Sequence, residues 1–321
     1  MAVTIKDLAR ETGLASSTIS AYLNGTKVRE DNAEKIKQAI LKLGYIRNEY
    51  ARGLKTHKSM TIGVLIPELS SMFATTIITE IEEKLREQGY GIIVCDCRSN
   101  LVRESEAIKF LISKMVDGII ILPISQSEDI FIPCIENNIP VVSFDRMINS
   151  KKVSNVIINN REISYKATKK LLNENNKNIV IINGSEEIYT AKERYLGYSK
   201  AMEEANLYSE KYLYLGGLSI EGGYNAVKNA IKDLEKVDAF FVTNYDMTIG
   251  AIMAINEEGL KIGEDINLIG FDITDISKLF SPSLATIVQP LSLIGDMTAK
   301  VMLDMIEKHN VQNIILEATI E

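Results

Sequence analysis

The chain has 321 residues, of which 46% are hydrophobic and 25% are charged, a composition typical of globular proteins. Its first residues lack the apolar core of a secretory signal, and no later stretch reaches the ~18 uninterrupted apolar residues that a membrane span needs. We therefore expect a cytoplasmic protein. Three cysteines do not suggest a disulfide framework, and Cys95 and Cys97, with no histidine nearby, are expected in a core strand and not in a metal or redox site.

The charge is distributed unevenly along the chain. The net charge at pH 7 is −7, with 36 Lys and Arg against 43 Asp and Glu. Residues 1–60 hold 11 of the basic and 6 of the acidic residues, a net charge of +5, which leaves 25 and 37 in the remainder, a net charge of −12. A basic segment on an acidic body favours a protein in which phosphate attraction is confined to one end.

Three short helices are predicted near the start of the chain. Thr4 and Asp7 form a capping box before the first helix, and glycine residues end the helices. Apolar residues recur at helical spacing in each of them, as Ile36 and Ile40 do in the third. Three helices of this size can share a small core. The predicted spans are 5–11, 16–23 and 31–43.

After a polar, basic linker at residues 45–61, short apolar runs alternate with amphipathic helices. This alternation is typical of parallel sheets covered on both faces, and about 250 residues of it favour two sheets over one. We therefore predict an α/β fold with doubly wound parallel sheets in two lobes, and a ligand site at the carboxyl ends of the strands, between the lobes. The predicted strands are 62–66, 92–95, 118–122, 141–144, 156–158, 179–182, 239–242 and 268–269. The predicted helices include 77–88, 103–115, 165–173 and 247–258.

The first residues carry a DNA-binding motif. Residues 3–25, Val-Thr-Ile-Lys-Asp-Leu-Ala-Arg-Glu-Thr-Gly-Leu-Ala-Ser-Ser-Thr-Ile-Ser-Ala-Tyr-Leu-Asn-Gly, resemble the helix-turn-helix of the lactose/galactose repressor family of bacterial transcriptional regulators. The resemblance continues in the family's order and covers nearly the whole chain. Its further motifs are Ile46-x-Asn48-x-x-Ala51-Arg52-x-Leu54, Ile62-Gly63-Val64-Leu65-Ile66-Pro67, Val116-Asp117-Gly118-Ile119-Ile120, Ile139-Pro140-Val141-Val142, Leu268-Ile269-Gly270-Phe271-Asp272 and Gln289-Pro290.

The resemblance implies a homodimeric regulator, expected to be a repressor, that binds operator DNA under the control of a small effector. Residues 1–45 would form the DNA-binding head, and residues 46–60 a linker that becomes helical on DNA. Residues 61–321 would form a body that resembles periplasmic binding proteins, binds the effector and dimerises. Its first lobe would comprise about residues 61–158 and 290–321, and its second about 159–289.

The second helix of the head is the expected DNA-reading element. A helix fits the major groove, where its N-terminal half meets base edges while neighbouring hydroxyls and amides hold phosphates. Two positions depart from the family pattern: the usual serine cap is Ala15, so Ser16 is expected to take over capping, and a base-reading arginine is Ala21, which leaves few bidentate donors. A plain turn of small residues is the alternative. The resemblance assigns sequence choice to Ser16, Ser17 and Ala21, backbone contacts to Thr18, Ser20 and Asn24, and further contacts to Thr4 and Tyr22.

Leu54 in the linker matches the leucine that relatives insert into the minor groove at the operator centre. Unstacking a base step costs a few kcal/mol, which contacts made on the bent duplex recover. Gly53 weakens a linker helix by roughly 0.5–1 kcal/mol relative to Ala, which makes it more dependent on DNA and partner. The family's frequent proline before Asn48 is Arg47. A tether with an incidental leucine is the alternative. The expected linker contacts are Asn48, Ala51, Arg52, Leu54 and Lys55.

The resemblance places the effector site on several loops that follow strands. Carboxylates, an amide and an arginine that converge in a crevice can bind several adjacent hydroxyls, which is the chemistry of sugar recognition. Leu218 replaces an aromatic platform, Tyr245 an acidic residue and Asn159 an aspartate, so a sugar or sugar derivative is expected and another metabolite stays open. The expected effector residues are Phe73, Asp145, Asn159, Arg194, Leu218, Asn244 and Asp272.

Three other functions compete with this interpretation. An enzyme is disfavoured, because the sequence has no phosphate loop, nucleophile elbow or metal-binding spacing, and its two histidines are His57 and His309. No cofactor or metal is predicted. A solute-binding protein for uptake would share the body but not the DNA-binding segment. A regulator of the same fold that responds to a partner protein stays open, because a partner surface has no fixed spacing in sequence.

Overall fold

The computed structural model describes residues 3–45, 58–273, 277–279 and 284–321, and the chain divides into a unit at Met1–Ser59 and a unit at Met60–Glu321. The linker contacts expected from the sequence, Asn48, Ala51, Arg52, Leu54 and Lys55, lie outside the described residues. The elements in chain order are α1 (Ile5–Thr12), α2 (Ser16–Leu23), α3 (Glu30–Leu43), β1 (Thr61–Ile66), α4 (Met72–Glu87), β2 (Gly91–Asp96), α5 (Leu101–Ser113), β3 (Gly118–Ile121), α6 (Ile132–Glu136), β4 (Val141–Phe144), β5 (Val153–Ile158), α7 (Asn160–Asn173), β6 (Ile179–Asn183), α8 (Tyr189–Glu204), β7 (Leu213–Leu215), α9 (Ile220–Asp233), β8 (Ala239–Val242), α10 (Tyr245–Glu257), β9 (Asn267–Phe271), β10 (Ala285–Val288), α11 (Leu291–Lys308), β11 (Asn313–Leu316) and β12 (Thr319–Ile320).

Helices α1 to α3 enclose a small hydrophobic core. Leu8, Ile19 and Ile36 are fully buried, one from each helix. Burying a side chain of this size contributes about 1.5–3 kcal/mol, so three of them can hold a head this small together. The capping box predicted for α1 is present: the Asp7 carboxylate accepts hydrogen bonds from the backbone N–H of Thr4 at 2.9 Å and from its hydroxyl at 2.7 Å.

The described part of the body contains two six-stranded sheets, in the orders β11-β5-β4-β3-β1-β2 and β12-β10-β9-β8-β6-β7. All pairings are parallel except that of β10 with β12. The central strands, such as β3, β4, β6 and β8, are buried along their whole length, because helices cover both faces. The predicted α/β fold class with two doubly wound lobes is confirmed.

The chain passes between the two sheets at three places within the described residues: after β5, after β10, and between β11 and β12. The predicted first lobe, which takes in residues 290–321, differs from the structure at its last strand. Thr319 and Ile320 pair with Val288 and Ile287 of the second sheet. Only two residues separate β11 from β12, and the chain crosses to the second sheet within them.

Candidate functional site

The first turn of α2 is open to solvent. Ser16 and Ser17 are exposed there. The expectation that Ser16 caps this helix is wrong: the N-cap residue is Ala15, whose side chain has no oxygen to accept a hydrogen bond, and Ser16 is already helical. The N–H groups of the first turn thus have no side-chain cap within the described residues, which leaves donors that suit a phosphate oxygen.

The remaining DNA-contact residues predicted for the head line the rest of α2 or lie beside α1. Thr18, Ser20 and Ala21 are partly exposed, and Asn24 is exposed, with its amide donating to the Ser20 hydroxyl at 3.4 Å. Tyr22 packs against the core of the head. Thr4 is exposed and serves as the cap of α1. The predicted set therefore combines exposed polar groups with one aromatic anchor.

Three of the predicted effector residues come together in the body. Asp145 directly follows β4 in the first lobe, Asp272 directly follows β9 in the second, and Arg194 lies in α8. Asp145 and Arg194 are only 7% and 5% exposed, and the charges of all three interact. Both aspartates have left-handed backbones, with φ of 64° and 57°, which is uncommon outside glycine and clusters at functional sites.

Arg194 is held on several sides by protein groups. Its Nε donates to Asn160 Oδ1 at 2.8 Å, its Nη1 donates to the carbonyl of Thr243, and its guanidinium lies 3.7 Å from the ring centroid of Phe271. Gly197, one turn later, allows this position, because a Cβ there would clash with the backbone of α7. Burial lowers the pKa of Arg194 to about 10, even though two carboxylates nearby favour its charge.

The two carboxylates are held unequally. Asp272 accepts the backbone N–H of Gln289 at 3.0 Å and its Nε2 at 2.6 Å. Asp145 has Arg146 Nε at 3.8 Å from its Oδ2. Burial raises the pKa of both aspartates; Arg146 and Arg194 oppose the rise at Asp145, and the Gln289 hydrogen bonds followed by Arg194 oppose it at Asp272. Gln289 Oε1 and Arg146 Nε are buried without a hydrogen-bond partner among the described residues, so an acceptor and a donor next to the carboxylates are still available.

The other predicted effector residues have contacts within the fold. Asn244 caps α10 by accepting the backbone N–H of Met247 at 2.8 Å, and Asn159 accepts that of Ala318 at 2.9 Å, where the chain makes its last crossing. Phe73 packs against the core of the first lobe. Leu218, with a left-handed φ of 58°, packs against the core of the second.

Sequence reasoning missed four residues of this region: Arg146, Asn160, Thr243 and Gln289. Each is a chain neighbour of a predicted residue or part of a quoted motif: Arg146 follows Asp145, and Gln289 stands in the Gln289-Pro290 motif. Extending each predicted residue by one place would have found Arg146, Asn160 and Thr243, and Gln289 could have been taken from the quoted motif. The partner of each could not, because α7, α8 and β10 are far apart in sequence.

The described residues contain no group of three or more His, Cys, Asp or Glu side chains able to hold a metal ion. Cys97 and Cys134 are buried, and burial raises the pKa of each thiol to about 12, so both are protonated core residues. Within the same described ranges, no helix combines the length and the apolar character that crossing a membrane requires.

Comparison with known proteins decides the family. Residues 59–319 match the model described as periplasmic binding proteins and sugar binding domain of LacI family, and residues 4–48 match that of bacterial regulatory proteins, lacI family. The chain belongs to the LacI family. This LacI-family member is 32% identical over 312 residues to the HTH-type transcriptional repressor PurR of Glaesserella parasuis, covering 96% of this chain and 92% of that one. It is 30% identical over 320 residues to catabolite control protein A of Priestia megaterium, covering 99% and 96%.

Solved structures show the same fold. The lac repressor dimer bound to operator and the anti-inducer ONPF superposes on this LacI-family chain with a TM-score of 0.89 at 24% identity, covering all of this chain and 98% of that one. The complex of the transcriptional regulator CelR with cellobiose gives a TM-score of 0.75, also at 24% identity, covering 99% and 98%. The relatives named here are transcriptional regulators, as the absence of enzyme motifs in the sequence predicts.

Proposed function

We propose that this protein is a transcriptional repressor that loses or gains operator affinity when a small effector, a sugar or sugar derivative, binds between the two lobes of its body. The observation that carries the proposal is the charged group formed by the buried Asp145 and Arg194 and the half-buried Asp272, which draws on both lobes. A ligand that touches Asp145 and Arg194 together bridges the crevice and favours the closed arrangement of the lobes.

The chemistry of this group suits a ligand with several hydroxyls. Two carboxylates accept hydrogen bonds, while Arg146 Nε and Gln289 Oε1 offer a donor and an acceptor that make no hydrogen bond among the described residues. Vicinal hydroxyls donate and accept at adjacent positions, so they can satisfy such a mixed set at once. The sugar-binding description of the matching family model and the cellobiose complex of CelR agree with this choice.

A non-sugar metabolite or a partner protein is the second candidate. Leu218 offers an apolar side chain where sugar-binding relatives carry an aromatic platform, and its partly buried position in the second lobe gives it little surface for stacking. A heat-shift screen against sugars, phosphosugars and other metabolites distinguishes the candidates. A sugar that raises the melting temperature supports the proposal, whereas stabilisation by non-sugars alone supports the alternative.

The proposed repressor acts as a homodimer on a pseudo-palindromic operator. A single three-helix head offers a small interface, and two heads reading half-sites supply the affinity. An apolar patch on the first lobe is available for pairing: the loops after β1 and β2 lie together through a 3.3 Å hydrogen bond from Ser99 to Glu68. These loops and the first turns of α4 and α5 expose large apolar side chains, namely Leu69, Met72, Leu101 and Val102.

Two measurements test this part of the proposal. Selection from random duplex DNA should yield a sequence with two related half-sites, and sedimentation should show dimers at micromolar concentration. Monomers that bind a single half-site contradict the proposal.

In the linker, Leu54→Ala should lower operator affinity far more than affinity for random DNA, because only the specific complex bends around a wedge. Equal losses would reduce Leu54 to part of a tether.

A further inference from the structure

The chain enters the body at Met60, and both the backbone N–H and the backbone carbonyl of this residue are hydrogen-bonded. The backbone N–H of Met60 donates to Asp117 Oδ2 at 2.9 Å, and its carbonyl accepts the N–H of Gly91 at 2.9 Å. Met60 has a left-handed φ of 54°, which costs about 1–2 kcal/mol for a residue with a Cβ. A strained backbone held from two sides marks a point where the direction of the chain is fixed.

The register of the sheet explains why Asp117 makes this bond. Strands β1 and β3 pair from Ile62 and Gly118 onward, so Met60 lies two residues before the first paired residue of β1. The backbone N–H of Asp117 donates to the Thr61 carbonyl at 2.8 Å, which brings its side chain opposite Met60. The Asp117 carboxylate thus takes the place of the backbone acceptor that a longer β3 would provide. It extends the hydrogen-bond ladder between β1 and β3 by one bond to a side chain.

The junction is part of the first lobe. Met60 packs against the hydrophobic core of that lobe, and Tyr90, only 7% exposed, lies close to the Asp117 carboxylate. Burial raises the pKa of Tyr90, and the charges of Asp117 and Glu307 raise it further. Because β1, β2 and β3 all contribute to the junction, a displacement of the first lobe carries Met60 with it.

We propose that Asp117 is a positioning residue that fixes the direction in which the DNA-binding linker leaves the body. The inference rests on the proposed function. The head and linker precede Met60, so two linkers of a dimer can only approach an operator at a set spacing if each starts in a set direction. Without the Asp117 acceptor, residues before β1 gain backbone freedom, and binding to a site of fixed spacing must remove that freedom again. Binding to random DNA has no such requirement.

The test compares Asp117→Ala, Asp117→Asn and the control Asp304→Ala, whose carboxylate is partly exposed on α11 and pairs with Lys308 at 2.8 Å. Affinities are measured for the duplex that the wild-type chain selects from random DNA, and for random duplex. Asp117→Ala should weaken operator binding about threefold to tenfold, the range that one hydrogen bond supplies, and leave random-DNA binding unchanged. Asp117→Asn keeps an acceptor oxygen and should stay near wild type, as should the control.

Hydrogen exchange at the Met60 amide gives a second readout that needs no DNA. Exchange should accelerate in Asp117→Ala and remain slow in Asp117→Asn and in the control. Unchanged operator affinity in Asp117→Ala, or equal losses on operator and random DNA, would overturn the inference, and so would an unchanged exchange rate. A wild-type chain that selects no DNA sequence contradicts the proposed function instead, and the exchange rate then decides the role of Asp117 in the junction.

Discussion

The two sites of this protein differ in how much of their geometry the chain itself supplies. In the first turn of α2, Ser16 and Ser17 are exposed and the N–H groups have no side-chain cap among the described residues. In the body, Asp145 and Arg194 are buried, and Arg194 is already bonded to Asn160 and to the Thr243 carbonyl. A change in the head should therefore alter recognition alone, whereas a change in the body should alter recognition and stability together.

The largest expected effect concerns the basic head on the acidic body. With net charges of +5 in residues 1–60 and −12 in the remainder, DNA contacts should be confined to the head and linker. Neutralising about six phosphates predicts a loss of operator affinity on the order of 10³ or more between 50 and 200 mM salt. Fluorescence anisotropy over this salt range measures the slope. A flat dependence would mean that phosphate contacts do not dominate binding.

Arg194→Ala should destabilise the body strongly. The variant removes the buried guanidinium that donates to Asn160 Oδ1 and to the Thr243 carbonyl, and leaving a buried acceptor unsatisfied costs about 1–3 kcal/mol for each. Arg161→Ala is the matched control, because Arg161 on neighbouring α7 is exposed and pairs with Glu193 at 2.8 Å. An exposed pair of this kind contributes about 0–1 kcal/mol. Urea unfolding measures the free energy of unfolding of the two variants. Similar losses for both would mean that the buried arginine contributes no more to stability than the exposed one.

Two aspartates should respond to pH in opposite ways. Burial raises the pKa of Asp145, so its contribution to stability is present below the ordinary Asp range and is lost as pH rises through the folded value. Burial opposes ionisation of Asp238 as well, but hydrogen bonds from Lys236 and the backbone of Asn178 and Lys177 lower its pKa to about 2. The contribution of Asp238 is thus present above the ordinary range and is lost as pH falls towards 2.

At pH 7, Asp145→Asn should therefore raise the free energy of unfolding, and Asp238→Asn should lower it. For both variants, the difference in free energy of unfolding from wild type should shrink as the pH is lowered. The difference for Asp145→Asn should shrink at a higher pH than that for Asp238→Asn. Urea unfolding at several pH values measures the pair. Destabilisation by Asp145→Asn at pH 7 would show that this carboxylate is held by the fold and not kept for a ligand.

Ser17→Ala should have the smallest effect on the fold, within about 0.5 kcal/mol, because the side chain is exposed. It should relax discrimination at one or two operator positions, each worth about 1 kcal/mol. Repeating the selection from random duplexes with the variant measures this. An unchanged sequence preference would remove Ser17 from the residues that choose the sequence.

Regular elements could be predicted where the sequence has a strong local pattern. Helix α2 and strands β4 and β8 have the predicted bounds, because their apolar runs are flanked by clear turn residues. Strands β7, β10, β11 and β12 were not predicted. They are only two to four residues long, so their apolar residues make a run too short to distinguish a strand from a loop.

The site could be predicted residue by residue but not as a network. Asp145 and Asp272 each follow a strand, which indicated that both lie at the carboxyl ends of the sheets. In the structure the charge of each interacts with that of Arg194. That Asn160 would bind Arg194 depends on the packing of α7 against α8, which Gly197 permits and no local pattern encodes. The role of Ser16 as a cap was predicted wrongly. A cap at position 16 requires a helix that begins at residue 17, whereas α2 begins at Ser16 itself.

Control of DNA affinity by a ligand bound between the lobes is tested by operator titration of Asp145→Asn and wild type, with and without the ligand found by heat-shift screening. Asp145→Asn is better suited than Arg194→Ala because it removes the charge and one of the two acceptor oxygens of a proposed ligand contact without the expected loss of stability. We expect equal ligand-free operator affinity for the two proteins, and a ligand response of operator affinity in wild type that is strongly reduced in Asp145→Asn at the same ligand concentration. A full response in Asp145→Asn would mean that the signal does not enter through the crevice between the lobes.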